Sequence, residues 1–303
     1  MRPSQGGQSG TTTQPFGQAS SYAAGRSRVA SPVDTGGWGR AGAALDAGQL
    51  GEDWTRRLPR PSDREYCTQA CLRGLCDGSD MDPLCPNWGA HRRPPDGSGP
   101  ERTRHPLSRA ALAGEAVRQL EAVTSPYVSE RSRAAKVGPW QHLGARSVVT
   151  KLELDGYGYT MVAKVVYEEK AGVLEREEAV YAGLGLVGRT RGVVVPVSLG
   201  CATLTRRFPL DPYRQRQPVR GPALRHMMLM SYAGPPLAGD PVSLPDPAEV
   251  DVEVERQRTM AELDALGLVK HGERSLSTFT WCQESRRVME LDFEMAYLIP
   301  HRM

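Results

Sequence analysis

The feature that most constrains this chain is the stretch 271–294, in which two acidic residues bracket an apolar hairpin pattern. Glu273 follows a predicted long helix over 247–268, and Asp292 follows a predicted strand over 288–291. An acid after a helix and an acid at a strand end can converge on one metal ion or one hydroxyl group, as phosphoryl-transfer chemistry requires. The rest of the chain must then supply a cation and a sheet to carry it.

Length and composition bound the possible architectures. The chain has 303 residues, 39% of them hydrophobic, which suffices for one medium domain with irregular segments. A net charge of +3 argues against a nucleic-acid partner. The start of the chain has no apolar leader-like segment and no run is long enough to span a membrane, so we expect no membrane association and a cytoplasmic or nuclear location.

Composition also divides the chain. Residues 1–60 are rich in Gly, Ser, Thr and Pro without periodicity, which predicts a disordered tail or, alternatively, a docking tail. A Cys-rich segment follows over 61–91, and a polar linker with an amphipathic helix occupies 92–137. The main domain is predicted over 138–303.

The Cys-rich segment predicts a metal site. Cys67 and Cys71 are four residues apart and would share one helix face, and Cys85 and His91 could complete a tetrahedral Cys₃His site for Zn²⁺. Cys76 is a spare that could replace any of the three thiols. The alternative is a small knot of free, buried thiols that pack as hydrophobic groups.

The main domain alternates strands and helices, which predicts an α+β fold with an antiparallel sheet. The two first strands are the clearest, because β-branched residues alternate on both sides of an Asp155-Gly156 turn. The predicted elements are strands over 147–154 and 159–167, a helix over 173–186, an edge strand over 193–199, a buried strand over 227–232 and the helix over 247–268.

Lys164 lies within the second of these strands, in Val162-Ala163-Lys164. A buried strand lysine requires a counter-charge, because its desolvation is costly. Glu177 on the next helix is the natural partner, with Glu178 as the second choice.

Taken in order, these pieces resemble a protein kinase: Val162-Ala163-Lys164, Glu177, a hinge-like Leu229-Met230-Ser231-Tyr232, His271-Gly272-Glu273 and Leu291-Asp292-Phe293. The chain further resembles a group of fungal protein-kinase-like proteins over about residues 64–298. The matching residues are 66–72, 85–87 with His91, 159–164, Glu177 with 180–181, 195–200, 226–231, 265–267 with 271–272, 287–289 and 292–296.

The resemblance implies a fold and roles. It implies a protein-kinase-like fold with a small antiparallel N-lobe sheet, one helix, and a truncated helical C-lobe. It implies ATP and Mg²⁺ as cofactors, with Lys164 on the phosphates, Glu177 holding Lys164, and Asp292 on the metal. The backbone from Met230 through Tyr232 to Ala233 would receive the adenine edge, and Glu273 would be the catalytic base.

The chain departs from this pattern at the catalytic loop. Glu273 stands where the group carries Asp, which moves the carboxylate by about 1.5 Å, and a misplacement of about 1 Å can cost about a hundredfold in rate. Thr278 stands where the group carries a magnesium-binding Asn, and a hydroxyl is the poorer ligand there. A glycine-rich phosphate loop is also missing: Gly144 alone lies where the resembling fold would place it, before the strand over 147–154, and Gly156 and Gly158 come in the next turn, too late to cover phosphates.

These departures favour a catalytically impaired, kinase-like protein (a pseudokinase) that binds ATP and an unknown protein partner in a scaffold role. The alternative is an active atypical kinase that phosphorylates protein or a small hydroxylated molecule, as aminoglycoside and choline kinases do. A third reading is a chain whose site has lost its function altogether.

Overall fold

The computed structural model describes residues 61–124, 134–143, 147–187, 190–208, 223–239, 244–245, 249–272 and 274–299. The predicted tail over 1–60 lies outside these residues, and so does Glu273. The described part is a mixed α+β fold with an antiparallel sheet, which confirms the α+β class predicted from the alternating strands and helices. No helix within the described ranges is long and apolar enough to cross a membrane.

A five-stranded antiparallel sheet organises the fold, with the strand order β1-β2-β3-β5-β4. Its strands are β1 (Lys136–Leu143), β2 (Ser147–Leu154), β3 (Tyr159–Tyr167), β4 (Ser198–Thr203) and β5 (Leu224–Met230). β3 is central and nearly all of its residues are buried, which agrees with its β-branched composition.

The sheet is covered on both faces, and side chains alternate between two apolar cores along each strand. On β3, Met161, Ala163 and Val165 enter one core, whereas Val162 and Val166 enter the other. Lys164 is two residues from both Val162 and Val166, so its side chain points to the same, second face of the sheet. This alternation fixes which helices can meet the lysine.

The first face is covered by the Cys-rich segment and the helix after it. The helices are α1 (Gln69–Asp77), α2 (Trp88–Arg92) and α3 (Arg109–Thr124). Leu72 of α1 and Leu112 and Leu120 of α3 belong to the same core as the inward residues of β2 and β3. The predicted amphipathic helix is therefore part of the sheet's packing.

The second face is covered by α4 (Ala171–Val187) and approached by α5 (Val252–Ala265). Leu174, Val180, Tyr181 and Leu184 of α4 pack into the second core together with Leu263 of α5. Positions 174, 181 and 184 are separated by seven and three residues, which places them on one helix face, with Val180 beside them. Because these apolar residues pack against the second face of the sheet, the side of α4 that carries them faces Lys164.

Two further two-stranded antiparallel sheets lie outside the main sheet. One pairs β6 (Leu268–Lys270) with β9 (Ala296–Leu298), and the other pairs β7 (Phe279–Cys282) with β8 (Arg287–Glu290). Gly234 lets the chain after β5 pass β7 closely: its φ is +97°, and a Cβ there would lie 1.8 Å from the Trp281 carbonyl oxygen. Position 234 therefore requires glycine, because any side chain there would clash with the backbone of β7.

Two predicted elements differ from the structure, and one observed strand was not predicted. The edge strand predicted over 193–199 is wrong in range, because the N–H groups of Val193, Val194 and Val195 all bond to the Thr190 carbonyl in a turn, and β4 begins at Ser198. β4 does lie at a sheet edge. The helix predicted over 247–268 is shorter, because the Asp251 side chain caps it by accepting from the N–H groups of Glu253 and Val254. The strand β1 was not predicted from the sequence.

Candidate functional site

Lys164 sits in the middle of the sheet, where β2 and β5 fix its position. Its Cα pairs with Val149 of β2 and with Met228 of β5. The side chain is 9% exposed. A lysine in such a place is held rigidly and needs a partner to stay charged.

Glu177 is that partner, as predicted. The Lys164 Nζ lies 2.6 Å from the Glu177 Oε2, and the glutamate side chain is 1% exposed. The apolar stripe of α4 explains the placement, because Glu177 stands three residues after Leu174 and four before Tyr181. The second choice, Glu178, instead pairs with Arg109 of α3 at 2.5 Å.

Asp292 reaches the same ammonium from the segment after β8. Its Oδ1 lies 3.2 Å from the Lys164 Nζ, and its backbone has a left-handed φ of +63°. A non-glycine residue in that conformation is strained and has to be held by its surroundings. Phe293 does this from the next position: it is fully buried and meets the Tyr181 ring edge-on at 4.8 Å between centroids.

Glu294 is a third carboxylate at Lys164, with its Oε1 3.2 Å from the Nζ. No role was predicted for this residue from the sequence. A second acid two residues after Asp292, in Asp292-Phe293-Glu294, was the sequence signal that could have found it. The three acids each offer an oxygen within 4.8 Å of the others, an arrangement that could also hold a metal ion.

The electrostatics of this cluster favour a positive ligand beside the lysine. Burial acts to lower the pKa of Lys164, but the charges of Glu177, Asp292 and Glu294 outweigh it and raise that pKa. Burial raises the pKa of the Glu177 carboxyl against the attraction of Lys164. The Glu177 Oε1 is buried without a hydrogen-bond partner. Three carboxylates around one ammonium leave an excess of negative charge.

The hinge-like segment after β5 lies next to this cluster. Met230 is buried and its Cα pairs with that of Val162, two residues before Lys164 on the same face of β3. The Ser231 N–H donates to the Val197 carbonyl at 3.0 Å. The Tyr232 carbonyl, one of the groups predicted to meet adenine, accepts instead from the Gln69 side-chain amide at 2.7 Å.

Thr278 is brought beside Asp292, because its carbonyl accepts from the N–H of Leu291 at 2.7 Å. Its hydroxyl donates to the Ser275 carbonyl at 2.9 Å. Nearby, Lys270 and Glu290 form a buried ion pair at 3.1 Å, and the Lys270 Nζ also donates to the Leu291 carbonyl at 3.0 Å. The segment before Asp292 is therefore fixed by side chains.

The predicted zinc ligands form a separate, buried cluster. The ligand atoms of Cys67, Cys71, Cys85 and His91 all lie within 4.8 Å of one another. The His91 Nε2 is 3.4 Å from the Cys67 Sγ and 3.5 Å from the Cys85 Sγ. In a tetrahedral site with Zn–S of about 2.3 Å and Zn–N of about 2.0 Å, sulfur and nitrogen ligands lie about 3.5 Å apart. The residues present therefore fit zinc.

The surroundings orient these ligands. The His91 Nδ1 lies 2.8 Å from the Tyr157 carbonyl, and the Thr160 N–H donates to the Cys67 Sγ at 3.3 Å. A fixed ring with one nitrogen bonded to a carbonyl leaves the other nitrogen to face a metal. Gly158 allows the close approach: its φ is +70°, and a Cβ there would lie 2.5 Å from the Cβ of Ala90.

Charge sharing among the thiols supports a cation there. Hydrogen bonds with Cys67 and Cys85 raise the pKa of Cys71, whereas hydrogen bonds with Cys67 and Cys71 lower that of Cys85, so the Cys85 thiolate is stabilised by its neighbours. Burial acts to lower the pKa of His91, but its hydrogen bonds with Cys67 and Cys85 raise it to about 10. Cys76 is not part of the cluster; its thiol donates to the Ser198 carbonyl at 3.7 Å.

Comparison with known proteins gives a partial match. No family model matches the chain. The chain is similar to the meiotic driver SPOK2 of Podospora anserina, with 36% identity over 240 residues. The similar region is 78% of this chain and 26% of SPOK2, so the chain spans about a quarter of that curated relative's length.

Proposed function

We propose that this chain is a protein-kinase-like module that binds ATP with Mg²⁺, is impaired in phosphoryl transfer, and acts by binding a protein partner. The observation that carries the proposal is the Lys164–Glu177 ion pair, at 2.6 Å, with Asp292 3.2 Å from the same ammonium. A rigid cation on a sheet with a carboxylate beside it can bind a phosphate and its metal together.

The chemistry of binding follows from these groups. Lys164, held by Glu177, would attract the phosphate oxygens. Asp292 has a half-exposed carboxylate and Glu294 a partly exposed one, and these would hold Mg²⁺, whose preferred ligands are oxygens. The metal would supply charge neutralisation for the phosphates, and it would balance the excess of carboxylates around Lys164.

Impairment is proposed from the catalytic-loop residues. Glu273 and Thr278 replace the Asp and Asn of the resembling group, and the Thr278 hydroxyl is engaged by the Ser275 carbonyl. A base and a second metal ligand are therefore both weakened, whereas the binding groups Lys164, Glu177 and Asp292 are all in contact. Binding without efficient transfer suits a scaffold role.

The test is stabilisation of the purified protein by Mg-ATP. At a hundredfold excess over its Kd a ligand stabilises the folded state by about 2.7 kcal/mol, so the melting temperature should rise. Lys164→Met and Asp292→Asn should each remove this rise, whereas Lys170→Met, in the connection before α4, should keep it. Asp292→Asn is the safer variant, because its side chain is 49% exposed and its loss should disturb the fold less.

If millimolar Mg-ATP leaves the melting temperature of the parent protein unchanged, the proposed nucleotide binding is refuted. Impairment is tested separately with Glu273→Asp combined with Thr278→Asn. We expect this double variant to transfer phosphate to a generic protein substrate faster than the parent. If the parent transfers phosphate at a measurable rate equal to that of the double variant, the protein is an active kinase and the proposed impairment is wrong.

We also propose that Cys67, Cys71, Cys85 and His91 bind one structural Zn²⁺. The support is the sulfur–nitrogen spacing and the fixed tautomer of His91. Metal analysis of the purified protein should find about one equivalent of zinc. Cys85→Ser should lose it, whereas Cys201→Ser, at an exposed thiol outside the cluster, should retain it. Less than about half an equivalent in the parent would refute the site.

The similarity to SPOK2 suggests a setting for the module. We propose that it serves a protein that, like SPOK2, is a meiotic driver, in which it would be one part among others. Introducing the gene into a strain that lacks it and crossing that strain to its parent should give transmission above the Mendelian ratio. Mendelian transmission in that cross would reject this setting while leaving nucleotide binding untouched.

A further inference from the structure

The segment 62–69, called the strap below, runs across the sheet toward the hinge-like segment. The Ser62 hydroxyl donates to the Glu153 Oε2 at 2.6 Å, and the Arg64 Nε donates to its Oε1 at 3.0 Å. The Lys151 ammonium donates to the carbonyls of Ser62 and Arg64. Lys151 and Glu153 are on β2, so the start of the strap is fixed to that strand by four polar contacts.

Tyr66 continues the strap onto the hinge. Its ring stacks on that of Tyr232, with centroids 4.3 Å apart and an interplanar angle of 17°. The Lys151 Nζ lies 4.9 Å from the Tyr66 ring centroid. Tyr66 is thus held by an aromatic and a cationic neighbour, each of which favours its ring in this place.

Tyr66 packs on an apolar surface close to Lys164. Lys151, which contacts the ring, pairs across the strands with Val162, and Val162 pairs with Met230. Val162 lies two residues, or about 7 Å, before Lys164 on the same face of β3. Tyr66, Val149 and Tyr232 all pack against the apolar cluster that contains Val162 and Met230. A nucleotide with its phosphates at Lys164 would rest its base on this same apolar surface.

The polar groups of the hinge are also occupied. Gln69, at the end of the strap, donates its side-chain amide to the Tyr232 carbonyl at 2.7 Å and accepts from the Ser231 hydroxyl. Gln69 is 2% exposed. The acceptor that a heterocyclic base would use at Tyr232 is therefore filled by the protein's own amide.

We propose that the strap is an internal competitor of the nucleotide base: Tyr66 occupies the apolar surface beside Val162, and Gln69 occupies the Tyr232 carbonyl. This inference rests on the proposed nucleotide binding and adds a way in which the protein itself would regulate that binding. The base binds only when the Tyr66 ring has left this surface and Gln69 has released the Tyr232 carbonyl. The apparent affinity is therefore the intrinsic affinity multiplied by the fraction of molecules in which the strap is displaced. Displacement of the ring leaves Cys67 in place, because Cys67 has its own contacts to β3.

The experiment measures the Kd of Mg-ATP for the parent protein, for Tyr66→Ala, for Gln69→Ala and for a control, Tyr297→Ala. Tyr297 is 45% exposed on β9, and its loss removes an aromatic ring away from the strap. We expect Tyr66→Ala and Gln69→Ala each to bind about two- to tenfold more tightly than the parent, the equivalent of one aromatic stack or one hydrogen bond. The control should bind as the parent does.

Hydrogen exchange gives a second readout that needs no substitution. Saturating Mg-ATP should increase amide exchange in a peptide that covers 62–69 of the parent protein. Equal or weaker binding by both variants, or strap exchange unchanged by bound Mg-ATP, would overturn the competitor while leaving nucleotide binding intact. Absence of Mg-ATP binding in the parent and in both variants would overturn the proposed function and the competitor together.

Discussion

Glu284 shows how one side chain joins distant parts of this chain. It lies in the turn between β7 and β8, and its carboxylate accepts from the backbone N–H groups of Gln69 at 2.5 Å and Ala70 at 2.9 Å. These are the first residues of α1, whose N-terminal N–H groups have no partner within the helix. An acceptor with a negative charge is the most favourable cap at that end.

We therefore expect Glu284→Gln to destabilise the protein. The amide keeps one acceptor oxygen but loses the charge, so the free energy of unfolding should fall by about 1 kcal/mol. Urea unfolding measures the change. Glu249→Gln is the matched control: Glu249 forms an exposed ion pair with Arg286 at 3.9 Å, and such pairs contribute little. Equal unfolding midpoints for the parent and Glu284→Gln would show that water replaces the cap without cost.

At the scale of elements, the sequence predicts best where local pattern and burial agree. The strands predicted over 147–154 and 159–167 have the observed bounds of β2 and β3. β-branched residues and an Asp-Gly turn carry that information locally. The helix over 173–186 matches α4 to within two residues at each end.

Elements are mispredicted where local chemistry competes with tertiary contacts. β1 contains Gly138 and Pro139, which argue against a strand, and its pairing with β2 has register shifts around Trp140. Pairing with β2, rather than the local sequence of β1, therefore makes this segment a strand. The turn over 190–195 shows the converse, since three valines with high strand propensity are held by one carbonyl.

Some contacts of the candidate site could be predicted from the sequence and others could not. Lys164 and Glu177 are 13 residues apart on a strand and the next helix, and their pairing follows from the cost of burying an unpaired lysine. The four residues of the Cys₃His cluster were predicted from the sequence, but the shared helix face was wrong, because Cys67 lies before the Thr68 cap of α1 and is held by Thr160 of β3. The strap could not be predicted, because Gln69 meets Tyr232 across 163 residues of sequence and no local pattern records such a contact.

At the scale of the whole molecule, the zinc ligands belong to the main core. Cys67, Cys71 and Cys85 pack in one cluster with Leu72 and Leu112 and with the inward residues of β2 and β3. The ligands are therefore part of the contacts that hold the sheet's first face. A metal bound there would tie the Cys-rich segment to β3 through Cys67 and to the turn before β3 through His91.

Zinc removal should consequently weaken the global fold and the Cys-rich segment together. Repulsion among the thiolates and lost ligand bonds should lower stability by about 3 kcal/mol, or on the order of 10 °C in melting temperature. The measurement compares thermal unfolding before and after exhaustive chelation, with zinc added back. Cys201→Ser should respond to chelation as the parent does, and Cys85→Ser should melt at the lower temperature from the start. If chelated parent protein kept its melting temperature, the four side chains would be a packed thiol cluster, and the core would not depend on a metal.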